Sequence, residues 1–212
     1  MKGVTFGKYH SWDDFSLILN SKKIESPAPK TSTVEIPGAD GVLDISEYFG
    51  EVKYKNRKLS FDFSTIVPQS DFLNLFSEIQ NTLHGQKVRV ILDDDPDFYY
   101  VARISVSEWK ANKNIGKITI DCDCEPYKYK LYKTVINRAV SGSTTLALQN
   151  LRKRVNPTFT TDAEIQISFE NSTYTIGAGT FIVPEIALVA GNNTLTLTGT
   201  ANVVIEYQEG GL

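Results

Sequence analysis

Alternation of apolar and polar side chains constrains this chain more than any other feature. In Leu59-Ser60-Phe61-Asp62-Phe63-Ser64, Ala102-Arg103-Ile104-Ser105-Val106-Ser107, Ile165-Gln166-Ile167-Ser168-Phe169-Glu170 and Val203-Val204-Ile205-Glu206-Tyr207-Gln208, every second residue is apolar. A period of two places those side chains on one face of an extended backbone, so each run is predicted to be a half-buried antiparallel strand. One segment keeps a different rhythm. Phe72, Leu75, Phe76, Ile79 and Leu83 fall at helical spacing between Pro68 and Gly85, with Ser70 as predicted N-cap and Gly85 as the residue that ends the helix. An isolated helix of that length is marginal in water, so its apolar stripe must cover a sheet.

The chain has 212 residues, enough for two small domains. The composition changes after Glu125-Pro126-Tyr127-Lys128-Tyr129-Lys130: Trp disappears, and Thr, Ser, Asn and Gly rise through Ser141-Gly142-Ser143-Thr144-Thr145 and Asn192-Asn193-Thr194. Short strands separated by such turn clusters indicate a small β-sandwich. The predicted architecture is mainly β: residues 1–132 form an antiparallel sandwich or barrel-like domain with one covering helix, and residues 133–212 a small sandwich. The formal charge of -3, from 22 Lys+Arg against 25 Asp+Glu, disfavours a nucleic-acid-reading surface. No run approaches the roughly 18–20 apolar residues of a membrane-spanning helix, and the amino terminus has no apolar stretch of secretory type.

Enzyme chemistry finds little support. The chain has two histidines, His10 and His84, and no G-x-S-x-G elbow. His84 is predicted at the end of the helix, where an imidazole interacts with the negative end of the dipole. Cys122 and Cys124 lie on the apolar parity of one strand and are expected to be reduced core residues, since a tetrahedral metal site needs further ligands. Neither metal nor cofactor is predicted. Asp93-Asp94-Asp95-Pro96-Asp97 does not match the EF-hand spacing and is expected to be a solvated hairpin tip. Trp12, Trp109, Tyr127, Tyr129 and Tyr132 could stack on sugar rings, but aromatic residues also supply core area wherever small sheets need it.

Two further motifs remain. Val34-Glu35-Ile36-Pro37-Gly38-Ala39-Asp40-Gly41-Val42-Leu43-Asp44-Ile45 reads as a hairpin whose turn uses the fixed φ of Pro37 and the positive-φ freedom of Gly38 and Gly41. The second is Tyr54-Lys55-Asn56-Arg57-Lys58-Leu59-Ser60-Phe61-Asp62-Phe63. The pattern I-P-G-x-D-G-x-L-D followed by Y-x-N-R-x-L-x-F-x-F resembles the amino-terminal domain of the distal tail (Dit) proteins of siphovirus-type bacteriophages. Gly3-Val4-Thr5-Phe6, Phe15-Ser16-Leu17-Ile18-Leu19 and Glu125-Pro126-Tyr127-Lys128-Tyr129 resemble the ends of that domain. Val183-Pro184-Glu185-Ile186, Leu188-Val189-Ala190-Gly191-Asn192-Asn193 and Val203-Val204-Ile205-Glu206-Tyr207 are similar to the family's smaller galectin-like sandwich.

The resemblance implies a structural virion protein of the tail tip, made in the bacterial host cytoplasm. It implies a homohexameric ring that continues the tail tube, docks a tail-tip lysin or hub protein, and holds receptor-binding or baseplate proteins. DNA would pass through the lumen without specific binding. Pro37, Gly38, Asp40, Gly41, Asp44 and Arg57 are assigned a structural role in the motif, with Asp40 or Asp44 expected to pair with Arg57 across the hairpin. A carbohydrate-binding module contacting the host surface is the alternative function.

Overall fold

The computed structural model describes residues 2–48, 50–111 and 115–212, and it divides into two compact units: Met1–Lys128 with Leu212, and Tyr129–Gly211. In the first unit, strands β1 (Val4–Phe6), β2 (Tyr9–His10), β3 (Leu17–Ile24), β6 (Arg57–Thr65), β7 (Lys87–Leu92), β8 (Asp95–Ala111) and β9 (Gly116–Lys130) form one antiparallel sheet. Their order is β2-β1-β7-β8-β9-β6-β3. Between β3 and β6 lies a separate hairpin of β4 (Thr33–Val34) and β5 (Leu43–Asp44).

Strand parity builds the core. Leu59, Phe61 and Phe63 of β6 face inward with Ile118, Ile120, Cys122 and Cys124 of β9. The sheet curls far enough that Phe6 meets Phe61 and Phe63 edge-on, with ring centroids 5.9 and 6.3 Å apart. Hydrogen bonds to the wholly buried Ser11 draw the sheet ends together: its Oγ accepts from Val4 N, and its carbonyl accepts from Leu17 N at 2.8 Å. Curling replaces a flat sheet's second layer with the sheet itself.

Helix α1 (Phe72–Leu83) covers an open part of this core, burying Phe72, Ile79 and Leu83. Its start differs from the sequence expectation. Gln69–Asp71 forms a 3-10 turn after Pro68, Asp71 occupies the N-cap position, and the Ser70 hydroxyl bonds the Asp71 carboxylate instead of capping the helix. Proline's fixed φ starts the chain turning at Gln69, three residues before the α-helix begins at Phe72. Gly85 ends the helix as expected, with φ +78° and its N–H donated to Ile104 O of β8.

The second unit is organised by one ribbon. Strands β10 (Thr134–Asn150) and β15 (Gly191–Tyr207) pair along their full 17 residues without a register shift. The opposite side of β15 is shared by β12 (Ile165–Phe169) and β11 (Thr158–Thr161), flanked in turn by β13 (Ser172–Ile176) and β14 (Gly179–Ile182). Gly142 and Gly199 sit directly opposite each other at mid-ribbon, with φ +83° and +146°. Side chains are absent where the ribbon bends, and a Cβ on Gly199 would meet the Glu164 carbonyl at 3.2 Å. At the break between β11 and β12, Asp162 clasps β15 by accepting from Asn202 N and Nδ2, both at 2.7 Å. Leu146, Leu148, Leu195, Leu197, Val203 and Ile205 face one core with Phe159 and Ile167.

Candidate assembly interface

The β4–β5 hairpin prolongs β3 and β6 as an arm. Its base continues their ladder through Glu25 N to Lys58 O, Lys55 N to Ala28 O and Lys30 N to Lys53 O. Gly38 (φ +85°) and Gly41 (φ +77°) turn its tip, beside Pro37 and the exposed Asp40. Below the tip, the Asp44 carboxylate accepts from the Ser46 N–H and hydroxyl, and the Ser46 Oγ accepts from Ser32 N. These bonds hold the Asp44 carboxyl below its ordinary value. The arm's apolar side chains are unburied: Val34, Ile36, Val42, Leu43 and Tyr48 are 44–78% exposed. A two-stranded hairpin is marginal in water by itself, and exposed apolar side chains grouped on one such element are a mark of protein contact.

Arg57 does not pair with Asp40 or Asp44. It is 5% exposed, on the core parity of β6, with its guanidinium carbon 4.9 Å from the Tyr100 ring centroid. Among the described residues its Nε and Nη2 have no hydrogen-bond partner. The alternation that sends Leu59, Phe61 and Phe63 inward sends Arg57 inward too, away from the arm. A buried cation on an aromatic face gains on the order of 2 kcal/mol from the ring quadrupole, which makes Arg57 part of the sheet's packing. Burial pushes the neighbouring Tyr100 phenol up, with Arg57 acting against it.

The acidic run is a hairpin tip, but not a freely solvated one. Asp93 accepts from Gly3 N at 2.7 Å and lies 3.2 Å from His10 Nε2; Asp94 pairs with Lys22, and Asp95 with Lys128 at 2.6 Å. Asp97 stays exposed. Three carboxylates thus tie the β7–β8 turn to Gly3 just before β1, to β2, β3 and β9, and Lys22 holds Asp94 below the usual carboxylate range.

The remaining candidates are structural as well. His84 accepts the Val106 N–H on Nδ1 at 3.1 Å, which ties the end of the helix to β8. Burial pushes the Cys122 thiol strongly up and the Cys124 thiol to about 12, leaving both as inert core groups. Phe72 and Phe76 enclose Trp109 at 5.9 and 5.2 Å. Tyr129 is buried beside Lys153, Tyr127 packs edge-on against Tyr54, and Tyr132 is 80% exposed. Among the described residues no cluster of His, Cys, Asp or Glu has metal-site geometry, and no helix is long and apolar enough to cross a membrane.

Comparison with known proteins identifies the family and the fold. Residues 13–124 match the family model described as the phage tail protein RIFT-related domain. No curated protein sequence matches. Among solved structures, the SPP1 Dit (gp 19.1) protein, described as a paradigm of the hub adsorption apparatus in phages infecting Gram-positive hosts, aligns with a TM-score of 0.74 at 17% identity. The alignment covers 98% of this chain and 99% of that one. The chain therefore belongs to the family of phage tail proteins carrying the RIFT-related domain, and it has the Dit fold along nearly its whole length.

Proposed function

We propose that this chain is a distal tail protein whose copies close into a homohexameric ring at the end of the tail tube, with the β4–β5 arm of each copy lying on its neighbour. The observation that carries this reading is the arm itself, an ordered hairpin presenting Val34, Ile36, Val42 and Leu43 to solvent. The alternative contact, sheet edge to sheet edge in the first unit, is less favourable: free edge β3 has a register shift between Leu19 and Ser21 and carries Lys22 and Lys23. Bulges and lysines are the usual protection of an edge against strand addition. A head-to-tail ring needs a projecting element that meets a different surface of the next copy, and an arm provides one.

In this reading Pro37, Gly38, Asp40, Gly41 and Asp44 shape the arm, and Arg57 anchors β6 at its root. The ring links the tail tube above to a tail-tip lysin or hub protein below, while the second unit faces receptor-binding or baseplate proteins. The balance of 22 basic against 25 acidic residues suits a lumen that passes DNA without holding it. The work of the protein is geometric, with no bond-making step.

The test is the Val42→Asp/Leu43→Asp variant of the full chain, read by light scattering and negative-stain imaging. Wild type should form rings; the variant should remain monomeric with unchanged circular dichroism, since both positions are exposed. Rings in the variant indistinguishable from wild type would remove the arm from the contact. Wild type that stays monomeric even with its neighbouring tail proteins would overturn the ring.

A further inference from the structure

We infer that the β4–β5 arm of one copy seats on a patch at the far end of β6 in the next copy, formed by Ile66, Leu73 and Ile115 around Trp109. The inference rests on the proposed ring for its occupant, a second copy, and identifies the surface that receives the arm. The patch begins at the last rung between β6 and β9, where Thr65 faces Gly116. Trp109 fills the space beside that glycine, and a Cβ there would stand 2.9 Å from the indole. Phe72 and Phe76 close on the same indole from the helix. Ile66 and Ile115 lie one residue beyond the rung, and Leu73 is beside Phe72 in the first helical turn. All three border one ring system, and they are 68, 42 and 69% exposed in the order Ile66, Ile115, Leu73. Single exposed apolar residues are ordinary, whereas three grouped around a half-buried tryptophan mark a contact surface.

Placement, charge and side-chain type match the arm to this patch. The arm leaves from the Ile24 end of β3 and the Arg57 end of β6, whereas Ile66 follows Thr65 at the opposite end of β6. At about 3.3 Å per residue, the nine residues of β6 hold root and patch roughly 26 Å apart, so a chain's own arm points away from its own patch. Two different surfaces on opposite ends are what a closed head-to-tail contact requires. Residues 31–52 of the arm include Glu35, Asp40, Asp44, Glu47 and Glu51 but neither Lys nor Arg. Residues 109–120, at the patch, include three lysines and no acid. Beside them stand Asp71 at the head of the helix and Glu108, which pairs with Lys110 at 2.5 Å; Lys117, next to Gly116, is exposed.

On the arm, Val34 lies directly opposite Leu43, so the two share one apolar face. An unrelated protein on the patch would leave that face open, whereas the neighbour's arm covers both apolar surfaces at once and brings its acids to the lysines.

Thiol capture in the full chain tests the contact. Ile36→Cys/Leu73→Cys puts one thiol on the arm and one on the patch, both at exposed positions, while Cys122 and Cys124 are buried. Mild oxidation or a short bis-maleimide, with and without neighbouring tail proteins, should give covalent multimers up to six on a denaturing gel. Each single variant should give nothing beyond a dimer. Ile66→Asp/Leu73→Asp, with unchanged circular dichroism, should lose its rings. Lys117→Glu should slow capture about ten-fold at low salt, with the difference shrinking as salt rises. Rings without multimers from either reagent, or wild-type rings in the Ile66→Asp/Leu73→Asp variant, would overturn the inference and leave the ring standing. Neither rings nor multimers, even with neighbouring tail proteins, would overturn both. Multimers without closed rings would uphold the contact and remove the closure. An unchanged rate in Lys117→Glu would overturn the charge match on which the choice of this patch rests.

Discussion

The two units bury their apolar residues by different means. The first curls a sheet until Phe6 packs on Phe61 and Phe63, then adds a helix; the second bends one long ribbon at a pair of glycines. Clustered phenylalanine rings centre the first core, whereas the second draws most of its area from aliphatic side chains on two limbs, with Phe159, Phe169 and Tyr207 among them. A unit stabilised by contacts among many strands tolerates local loss differently from one hung on a single pairing.

That contrast can be broken experimentally. Phe61→Ala should have the largest effect, about 3–5 kcal/mol, because it removes a fully buried ring with aromatic partners. Denaturant melts followed by hydrogen exchange should show the loss in residues up to 128. Equal loss of protection across residues 129–211 would show that the two cores are not separate. Gly199→Val should cost about 2 kcal/mol, since a branched residue is strained at φ +146° and would crowd the Glu164 carbonyl. The same substitution at Ser143, one residue past the bend and exposed, should change the midpoint little. If both behave alike, the bend is not where the second unit is specified.

Acid provides a finer comparison. Hydrogen bonds from Ser21 and Thr119 hold Asp62 below its ordinary value, and Lys22 does the same for Asp94. A carboxylate whose folded value is lowered adds stability that is complete above its unfolded value, about 3.9, and disappears as pH falls through the folded value. Thermal midpoints should therefore hold from pH 7 to 5 and decline below about 4. Asp62→Asn should flatten that decline, and a variant retaining the full acid loss would exclude Asp62 as a cause. Asp162→Ala should have the smallest effect, a slight drop in midpoint confined to the second unit, because the clasp to Asn202 is solvent-exposed. A large drop would mean that the break between β11 and β12 depends on it.

Much of the first unit was legible from local pattern. Leu59, Phe61 and Phe63 alternate with polar residues, and Phe72 to Leu83 keep helical spacing, so strand β6 and helix α1 follow directly. Arg57 could have been placed by the same alternation; reading it as a partner of Asp40 or Asp44 favoured charge over parity. The acidic tip was legible only as a turn, because the groups that engage it, from Gly3 and His10 to Lys128, are 33 to 90 residues away. In the second unit the end of β15 was visible, but Thr, Ser and Gly disguise β10 as turn sequence. Propensity carries little information where a strand's stability comes from a partner far along the chain.

The pairing of β10 with β15 also sets an order of events during synthesis. Thr134 must wait for Tyr207, and even the nearest partners, Asn150 and Gly191, are separated by all of β11 through β14. While the ribosome is still making that intervening stretch, β10 has no mate, and its apolar residues are exposed to whatever else is nearby. The first unit, whose β9 can already lie on β6 by then, assembles most of its sheet early; the second is a late closure, and a chain halted before β15 would leave the cell with an unpaired strand.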